Sequence, residues 1–580
     1  MEKNWRNLPS INQKFIDKFP EVNNIVLQLL SNRGLTAQDD IDDFLYPNYD
    51  DHIYDPFLFK QMAVAVERLF KAIRHREKLM VYGDYDADGV CSTVILYSAL
   101  KGLGLDVDVY IPFRESEGYG LNKEVAQRII DQKFNLVFTV DCGVANAAEI
   151  KTLKDAGIET IVLDHHQEPM ARPEALAIIN PALDDSGYPF SGLAGAGVVF
   201  KFVQAILIKQ EAENSPIKLP AGFDKWLLDI VAIATVGDLV PLVKENRVFV
   251  KYGLMVLEKT KRPGLRKIIE AINNHRILDT QFIGWRLVPR LNAAGRIDHA
   301  SSSFNLLIAQ KEEDIDKLVS ALEESNKKRQ QITEKILNEA ILQIGEPADE
   351  KKILWAVGEN WPAGVVGLVA GRLTDMFYRP ALVISKESNN DSKSIKYVGS
   401  GRSIDEFNIT DALKQCEKFL LRFGGHSQAC GFTVIGEENF KQFQEKLNQI
   451  AAAGLANVDL KPILEIEAEV KLIDINWGLW EDMEKFEPFG EGNLKPRLVS
   501  YNLKIEQIQA VGNEGKHMRV MVTQDDNPNL HKLIGFSFGE WCAKLNIGDK
   551  IDIVFELDLN EWNGNRELQL KIIDLKMSRL

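Results

Sequence analysis

Apolar positions along the chain fall into three rhythms. Between Lys78 and Leu163 they form short contiguous runs, Lys78-Leu79-Met80-Val81-Tyr82, Leu136-Val137-Phe138-Thr139-Val140 and Thr160-Ile161-Val162-Leu163, separated by helix-like stretches. Runs without polar alternation suit strands buried on both faces, as in a parallel sheet with crossover helices. Trp226 to Ala234 reads as a buried helix running into a loop, and Glu312 to about Ile344, highly charged and free of Gly and Pro, reads as one long helix. A second α/β lobe follows, with strands at Ile353–Val357 and Pro380–Ile384, a helix at Val365–Leu373 between them, and an exposed Asn- and Ser-rich loop at 389–396. Beyond about residue 460 the rhythm becomes alternation, at 463–470, 518–522, 551–556 and 567–572. Short alternating strands predict a small β-barrel.

Acids and imidazoles stand where the first-lobe strands end: Asp84, Asp86 and Asp88 after the first run, Asp141 after the second, and Asp164-His165-His166 after the third. Asp238 follows the buried helix. Ligands bind at the carboxyl ends of such strands. An isolated Asp-Gly is a turn former or a helix cap. Three aspartates at alternate positions repel one another, and desolvating them without cations costs several kcal/mol per charge. Gathered in one cleft, these groups would hold two divalent metals. Aspartate oxygens suit Mg²⁺ or Mn²⁺, and the imidazole of His165 favours Mn²⁺ over Ca²⁺, with Zn²⁺ a poorer fit.

Length and composition set outer bounds. A chain of 580 residues exceeds what one hydrophobic core supports, so several domains are expected. No apolar stretch of about 20 residues is present and the amino terminus leads into no signal-peptide core, which predicts a soluble cytoplasmic protein. Five cysteines, an odd number without metal-ligand spacing, read as reduced thiols. The net charge of −15 argues against a nucleic-acid partner in bulk but says nothing of a local basic groove.

The chain resembles the RecJ single-strand-specific exonucleases of the DHH phosphoesterase superfamily. The resemblance is carried by Gly83-Asp84-Tyr85-Asp86-Ala87-Asp88-Gly89, Ile111-Pro112-Phe113-Arg114 with Glu117-Gly118-Tyr119-Gly120-Leu121, Val140-Asp141-Cys142-Gly143 and Asp164-His165-His166. It continues through Tyr188-Pro189-Phe190, Leu193 to Gly197, Val236-Gly237-Asp238, Pro289 to Arg296, Gly399 to Ser403, Gly424-Gly425-His426 and Glu487 to Asn493. It implies two α/β lobes (DHH and DHH-associated) joined by the long helix around a central cleft, plus a carboxyl-terminal OB-fold barrel. The expected divisions are a lead-in at 1–60 packed on the first lobe, a catalytic lobe at 61–260, a connecting region at 261–345, a substrate-binding lobe at 346–456 and the barrel at 457–580. One departure is Trp361-Pro362, where the family commonly has Trp-His.

The implied activity is metal-dependent digestion of single-stranded DNA from its 5′ end to mononucleotides, in repair and recombination. Asp84, Asp86, Asp88, Asp141, His165 and Asp238 would hold two Mn²⁺ or Mg²⁺ ions about 4 Å apart, with Asp141 the bridge and Asp84 a ligand or an acid behind the ligands. His166 would face the scissile phosphate or leaving oxygen while Asp164 orients an imidazole. Arg114 would take the 5′-terminal phosphate, and Arg296, Ser400, Arg402 and His426 other substrate phosphates. The glycines beside Ser400 and His426 would let backbone amides approach. On the barrel, Trp562, Lys516, His517 and Arg519 would meet bases and backbone, although Trp562 beside Asn563-Gly564 equally fits a hairpin brace. The charges of the long helix, Lys327, Lys328 and Arg329 among them, read as solvated. The implied partners are a single-strand-binding protein and a helicase, with the chain a monomer. Two rival readings are an enzyme that cleaves short oligoribonucleotides, cyclic dinucleotides or pyrophosphate, a class that generally lacks the barrel, and a non-enzymatic replication scaffold that has lost its metal ligands.

Overall fold

The computed structural model describes residues 2–578 apart from 115, 214–216, 274–276, 389–394, 526 and 563–564. Most of the loop expected at 389–396 therefore lies outside the described residues. The chain forms two compact units. The first comprises residues 54–240 and 252–461, the second 2–53, 241–251 and 462–580.

The first unit begins with a five-stranded sheet: β1 (Leu79–Tyr82), β2 (Val107–Tyr110), β3 (Leu136–Val140), β4 (Glu159–Leu163) and β5 (Ala177–Ile179), in the order β2-β1-β3-β4-β5. All neighbours are parallel. β1 and β3 are buried throughout, which is why their sequences are contiguous apolar runs rather than alternating ones. The helices α1 (Ala87–Gly102), α2 (Gly195–Ala212) and α3 (Leu228–Gly237) are apolar on nearly every face and are buried accordingly. In this strand order the topological switch lies between β1 and β3, where helices leave the sheet in opposite directions and open a crevice. The loops carrying Asp84 to Asp88 and Asp141 leave the sheet there.

Helix α4 (Val288–Ile297) lies against the first lobe, and α5 (Glu312–Ile344) then runs for 33 residues, about 50 Å. Glu312, Glu313 and Asp314 sit favourably in its first turn, and Ile315, Val319 and Leu322 bury its early half. Ile336, Leu337, Ala340 and Ile344 join the core of the second lobe, with Val365, Val366, Val369 and Leu373 of α6 (Ala363–Phe377). That lobe has the sheet order β9-β10-β8-β7-β6, from β6 (Leu354–Glu359), β7 (Ala381–Ser388), β8 (Ile395–Arg402), β9 (Arg422–His426) and β10 (Ala429–Ile435). Only β6 and β7 are parallel.

The second unit holds a closed five-stranded barrel of β11 (Leu498–Val511), β12 (His517–Gln524), β13 (Asn527–Gly535), β14 (Lys550–Trp562) and β15 (Asn565–Met577). Pairing of β11 with β14 closes it. The lead-in departs from the expectation that it packs on the first lobe. Only its end does so: Phe59 stacks on Tyr188 at 3.9 Å, and Lys60 N–H donates to Ser186 O. Residues 2–53 instead build the second unit, where Asn4–Asn7 pairs in parallel with Ile463–Ile466 and Leu27, Leu29, Leu30 and Phe44 enter the core with Leu498, Ile553 and Phe555. An amphipathic helix announces that its apolar face needs a partner but not which partner.

Arg247 fixes this unit from inside. Its side chain is 1% exposed, its guanidinium lies 4.0 Å from the ring of Phe44, and it donates to the carbonyls of Phe44, Phe486, Pro488, Lys485 and Glu487 at 2.7 to 3.4 Å. Five carbonyls thus converge on one side chain, and removing it orphans them. Arg247→Ala is expected to lower the free energy of unfolding by about 3 kcal/mol, measured by denaturant titration; an unchanged midpoint would show that the loop at 485–488 is held by other means.

Candidate metal centre and phosphate cradle

The chain makes the acidic centre from three tight turns. At the end of β1, Asp86 caps α1 by accepting from Gly89 N–H at 3.1 Å, which aims Asp88 into the first helical turn. Both oxygens of Asp88 accept from the first amides of α2, Gly195 at 2.7 Å and Ala196 at 2.8 Å. A helix amino terminus is a natural seat for a carboxylate. Asp141, after β3, takes a left-handed backbone with φ of 58°, a conformation that Asp tolerates better than most residues. Gly195 makes room for it, since a Cβ there would lie 2.7 Å from Asp141 Oδ1. Asp238 caps the end of α3.

These turns converge on His165. Its Nε2 lies 3.1 Å from Asp141 Oδ1, 3.6 Å from Asp238 Oδ2 and 3.7 Å from Asp88 Oδ2. Three overlapping sets have ligand atoms mutually within 4.8 Å: Asp84, Asp86 and Asp141; Asp88, His165 and Asp238; and Asp141, His165 and His166. Asp164 serves the centre from behind. Its Oδ1 accepts from the amides of His165 and His166 and from His166 Nδ1 at 2.8 Å, while its Oδ2 accepts from Val144 N–H.

Electrostatics show what the centre suits. Burial holds the carboxyls of Asp84, Asp88 and Asp141 above the usual range, and Asp86 adds repulsion at each. Asp238 is pushed up to about 9 by burial and then by Asp88 and Asp86. Burial pushes His165 down, leaving its nitrogen free to ligate. His166 moves the other way, to about 9: burial opposes its charge, but the hydrogen bond and field of Asp164 prevail. Asp84 Oδ1 and Asp141 Oδ1 are buried without an aligned hydrogen-bond donor. Buried oxygens of this kind, at hard-ligand positions around one imidazole, fit divalent cations.

A basic cradle faces the acids. Arg114 lies over the ring of Tyr85 at 4.8 Å, and Arg296 donates to Gly364 O, at the start of α6, at 2.9 Å. Arg402 donates to Ser400 Oγ and to Gly401 O, while Ser400 donates to Cys430 O. Burial and the field of Arg114 lower the pKa of both Arg296 and Arg402. Three guanidiniums that repel one another mark a place for an anion. His426 is exposed at the end of β9, and its ring makes no contact with the cradle among the described residues. Pro362 caps α6 without a side-chain bond, and the adjacent Trp361 is buried with Nε1 donating to Glu339 of α5.

Two participants escaped sequence reasoning. Tyr119 places its hydroxyl 3.2 Å from Asp141 O and 3.0 Å from His166 Nδ1; its flanking glycines, both with φ of 78°, were the available signal. Arg329, read as solvated, sits in the field of Arg290 and Arg372, lowers the pKa of Arg296, and donates to Asn326. In the second unit, His517 meets Phe536 edge-on and Arg519 donates to Gln509. The side chain of Trp562 lies outside the described residues; its backbone pairs with Asn565 beside the hairpin turn.

Sheet order, histidine pair and paired lobes define a DHH-type phosphoesterase. Residues 78–235 match the DHH family N-terminal domain, 350–453 the DHHA1 domain and 466–574 the RecJ OB domain. The chain belongs to the RecJ family. It is 36% identical over 555 residues to the single-stranded-DNA-specific exonuclease RecJ of Bacillus subtilis, covering 96% of this chain and 68% of that one. With the protein of the same name from Escherichia coli it shares 31% identity over 526 residues, covering 88% and 89%. Among solved structures, RecJ of Thermus thermophilus in complex with Mn²⁺ superposes with a TM-score of 0.81 at 26% identity, over 100% of this chain and 80% of that one. The two α/β lobes, the barrel and a divalent-metal cofactor, Mn²⁺ or Mg²⁺, agree with the expectations from sequence.

A carboxyl with a raised folded-state pKa binds a proton that the unfolded chain does not bind between the ordinary carboxylate range and about 9. Metal-free protein should therefore gain stability as the pH falls from about 9 to about 6, whereas Mn²⁺-loaded protein should lose the contribution of the metal as protons compete. Asp238→Asn, which removes one repelling charge, should raise the melting midpoint of the chelator-treated protein at about pH 8 and weaken its stabilisation by Mn²⁺. Scanning fluorimetry with chelator or Mn²⁺ checks this; a metal-free wild type most stable at high pH would contradict it.

Proposed function

We infer that the protein hydrolyses single-stranded DNA from its 5′ end, releasing 5′-mononucleotides, in repair and recombination. The observation that carries this reading is an acidic cluster around His165 set against a cradle of Arg114, Arg296, Arg402 and Ser400. The first lobe is the catalytic part and the second grips the strand. Asp84, Asp86 and Asp141 would hold one ion and Asp88, His165 and Asp238 the other, with Asp141 reaching the imidazole of the second set. Two ions bound there would supply an activated water and neutralise charge on the phosphoryl oxygens.

The side chains do the remainder. Arg114, Arg296 and Arg402 bind and orient phosphates, with the 5′-terminal group assigned to Arg114 and His426 reaching the strand from the exposed edge of β9. His166, whose proton is retained well above neutrality, faces the scissile phosphate and donates towards the leaving oxygen. Asp164 fixes the ring of His166 in that orientation, and Tyr119 buttresses it. The barrel holds single-stranded DNA on its own surface, with Trp562 and Arg519 as its contacts. The enzyme acts as a cytoplasmic monomer, supplied with unpaired strand by a helicase and working beside a single-strand-binding protein. No described helix is long and apolar enough to cross a membrane.

With Mn²⁺ or Mg²⁺, a 5′-labelled single strand should lose its label as mononucleotide while a blunt duplex is spared. Asp141→Ala should abolish this turnover without changing the circular dichroism spectrum. Label retained under both metals would exclude the activity, and turnover by the variant would exclude the central role of Asp141.

A further inference from the structure

Helix α4 carries more than the cradle. One stripe of it and of the turn before it is at least partly open to solvent: Trp285, Pro289, Asn292 and Arg296, spaced by four, three and four residues and so on one helical face. Arg296 lies at the cradle. Asn292 accepts from Ala87 N–H at 2.7 Å, inside the acid-bearing loop after β1. Trp285, at the far end, is 82% exposed, which is unusual for the largest side chain.

Its setting is built rather than incidental. Ile283–Leu287 is a π-helical turn, a feature found mostly where a helix must re-aim a side chain at a functional site. The neighbouring Gly284 packs on α3, a Cβ there lying 3.7 Å from Val236, and Val288 packs on Gly237, both just before Asp238. Immediately after Asp238, Leu239 is held at φ of 59° with 72% of its surface exposed. Two exposed apolar side chains therefore project from segments pinned to the same short stretch of α3 as a proposed metal ligand.

We propose that Trp285 is a stacking shelf for a nucleobase on the 3′ side of the scissile phosphate, with Leu239 as a second exposed apolar side chain on the segment that follows α3. The eleven helical steps from Trp285 to Arg296 span about 16 Å, longer than one nucleotide's backbone. A strand whose terminal phosphate sits at Arg114, in whose field Arg296 lies, and whose scissile phosphate lies among the acids thus reaches Trp285 with a later base. An exposed indole suits any base, since all four present a π face. This assignment rests on the single-strand nuclease reading given above.

The test compares a long 5′-phosphorylated oligothymidylate with a 5′-phosphorylated dinucleotide, which cannot reach the shelf. Trp285→Ala should reduce kcat/KM on the long strand about tenfold more than on the dinucleotide, mainly through KM, and Trp285→Phe should recover most of the difference. Equal losses on both substrates, or no loss on either, would overturn the shelf. Should the wild type cleave neither strand, the nuclease reading fails on its own; fluorescence anisotropy of the two oligonucleotides in chelator then decides the shelf, which requires weaker binding of the long strand alone by Trp285→Ala.

Discussion

Mutual repulsion among buried carboxyls is the constraint from which the rest of the first unit follows. Asp84, Asp88 and Asp141 are almost wholly removed from water; Asp88 and Asp141 flank the imidazole of His165, and Asp84 stands with Asp86 beside Asp141. Donors among the described residues do not neutralise them: Asp88 has two helix amides, but Asp84 and Asp141 each keep an oxygen without one. A fold that assembles such a group without cations would protonate it. The same geometry that is unfavourable when empty is therefore a strong site for divalent ions, and much of the surrounding structure exists to keep it from relaxing.

That reinforcement comes from the sheet. Parallel strands buried on both faces cannot shift without exposing apolar surface, so the turns at their ends are held in place. Glycine is needed where a side chain presses on the backbone: Gly83 could not carry a Cβ beside the Thr93 hydroxyl, nor Gly195 beside the Asp141 carboxylate. Across the cleft, the arginines reproduce the problem with opposite sign, as guanidiniums crowd at Arg296 and Arg402 without an ion-paired carboxylate among the described residues. Two regions of unbalanced charge, one negative and one positive, would be jointly relieved by the proposed metal ions and phosphodiester backbone.

Much of this was legible in the sequence because strand ends and turns are local. The contiguous runs before Asp84, Asp141 and Asp164 give both the parallel sheet and the positions of its acids, and the long helix is plain from its lack of Gly and Pro. What was not legible depends on tertiary partners. The lead-in helix Asn24–Asn32 shows an apolar face, yet nothing in it says that Leu498 and Phe555 will cover that face. Leu498–Val511 and Asn527–Gly535, absent from the expected barrel strands, have alternation interrupted by polar residues whose pairing decides the matter. Arg329 looked like any helix-surface cation, since a charge reads as solvated until its neighbours prove to be other cations. Tyr119 needed the turn geometry of two glycines before its hydroxyl could be aimed.

The helix Glu312–Ile344 has a mechanical consequence. It contains neither of the residues at which helices usually bend, and its buried positions belong at one end to the first lobe and at the other to the second. A clamshell motion through this segment would require breaking continuous hydrogen bonding along a rod. The separation of the lobes is in this respect a gauge rather than a gate: the rod sets the width that a polymer must satisfy. Selection by thickness then needs no moving part.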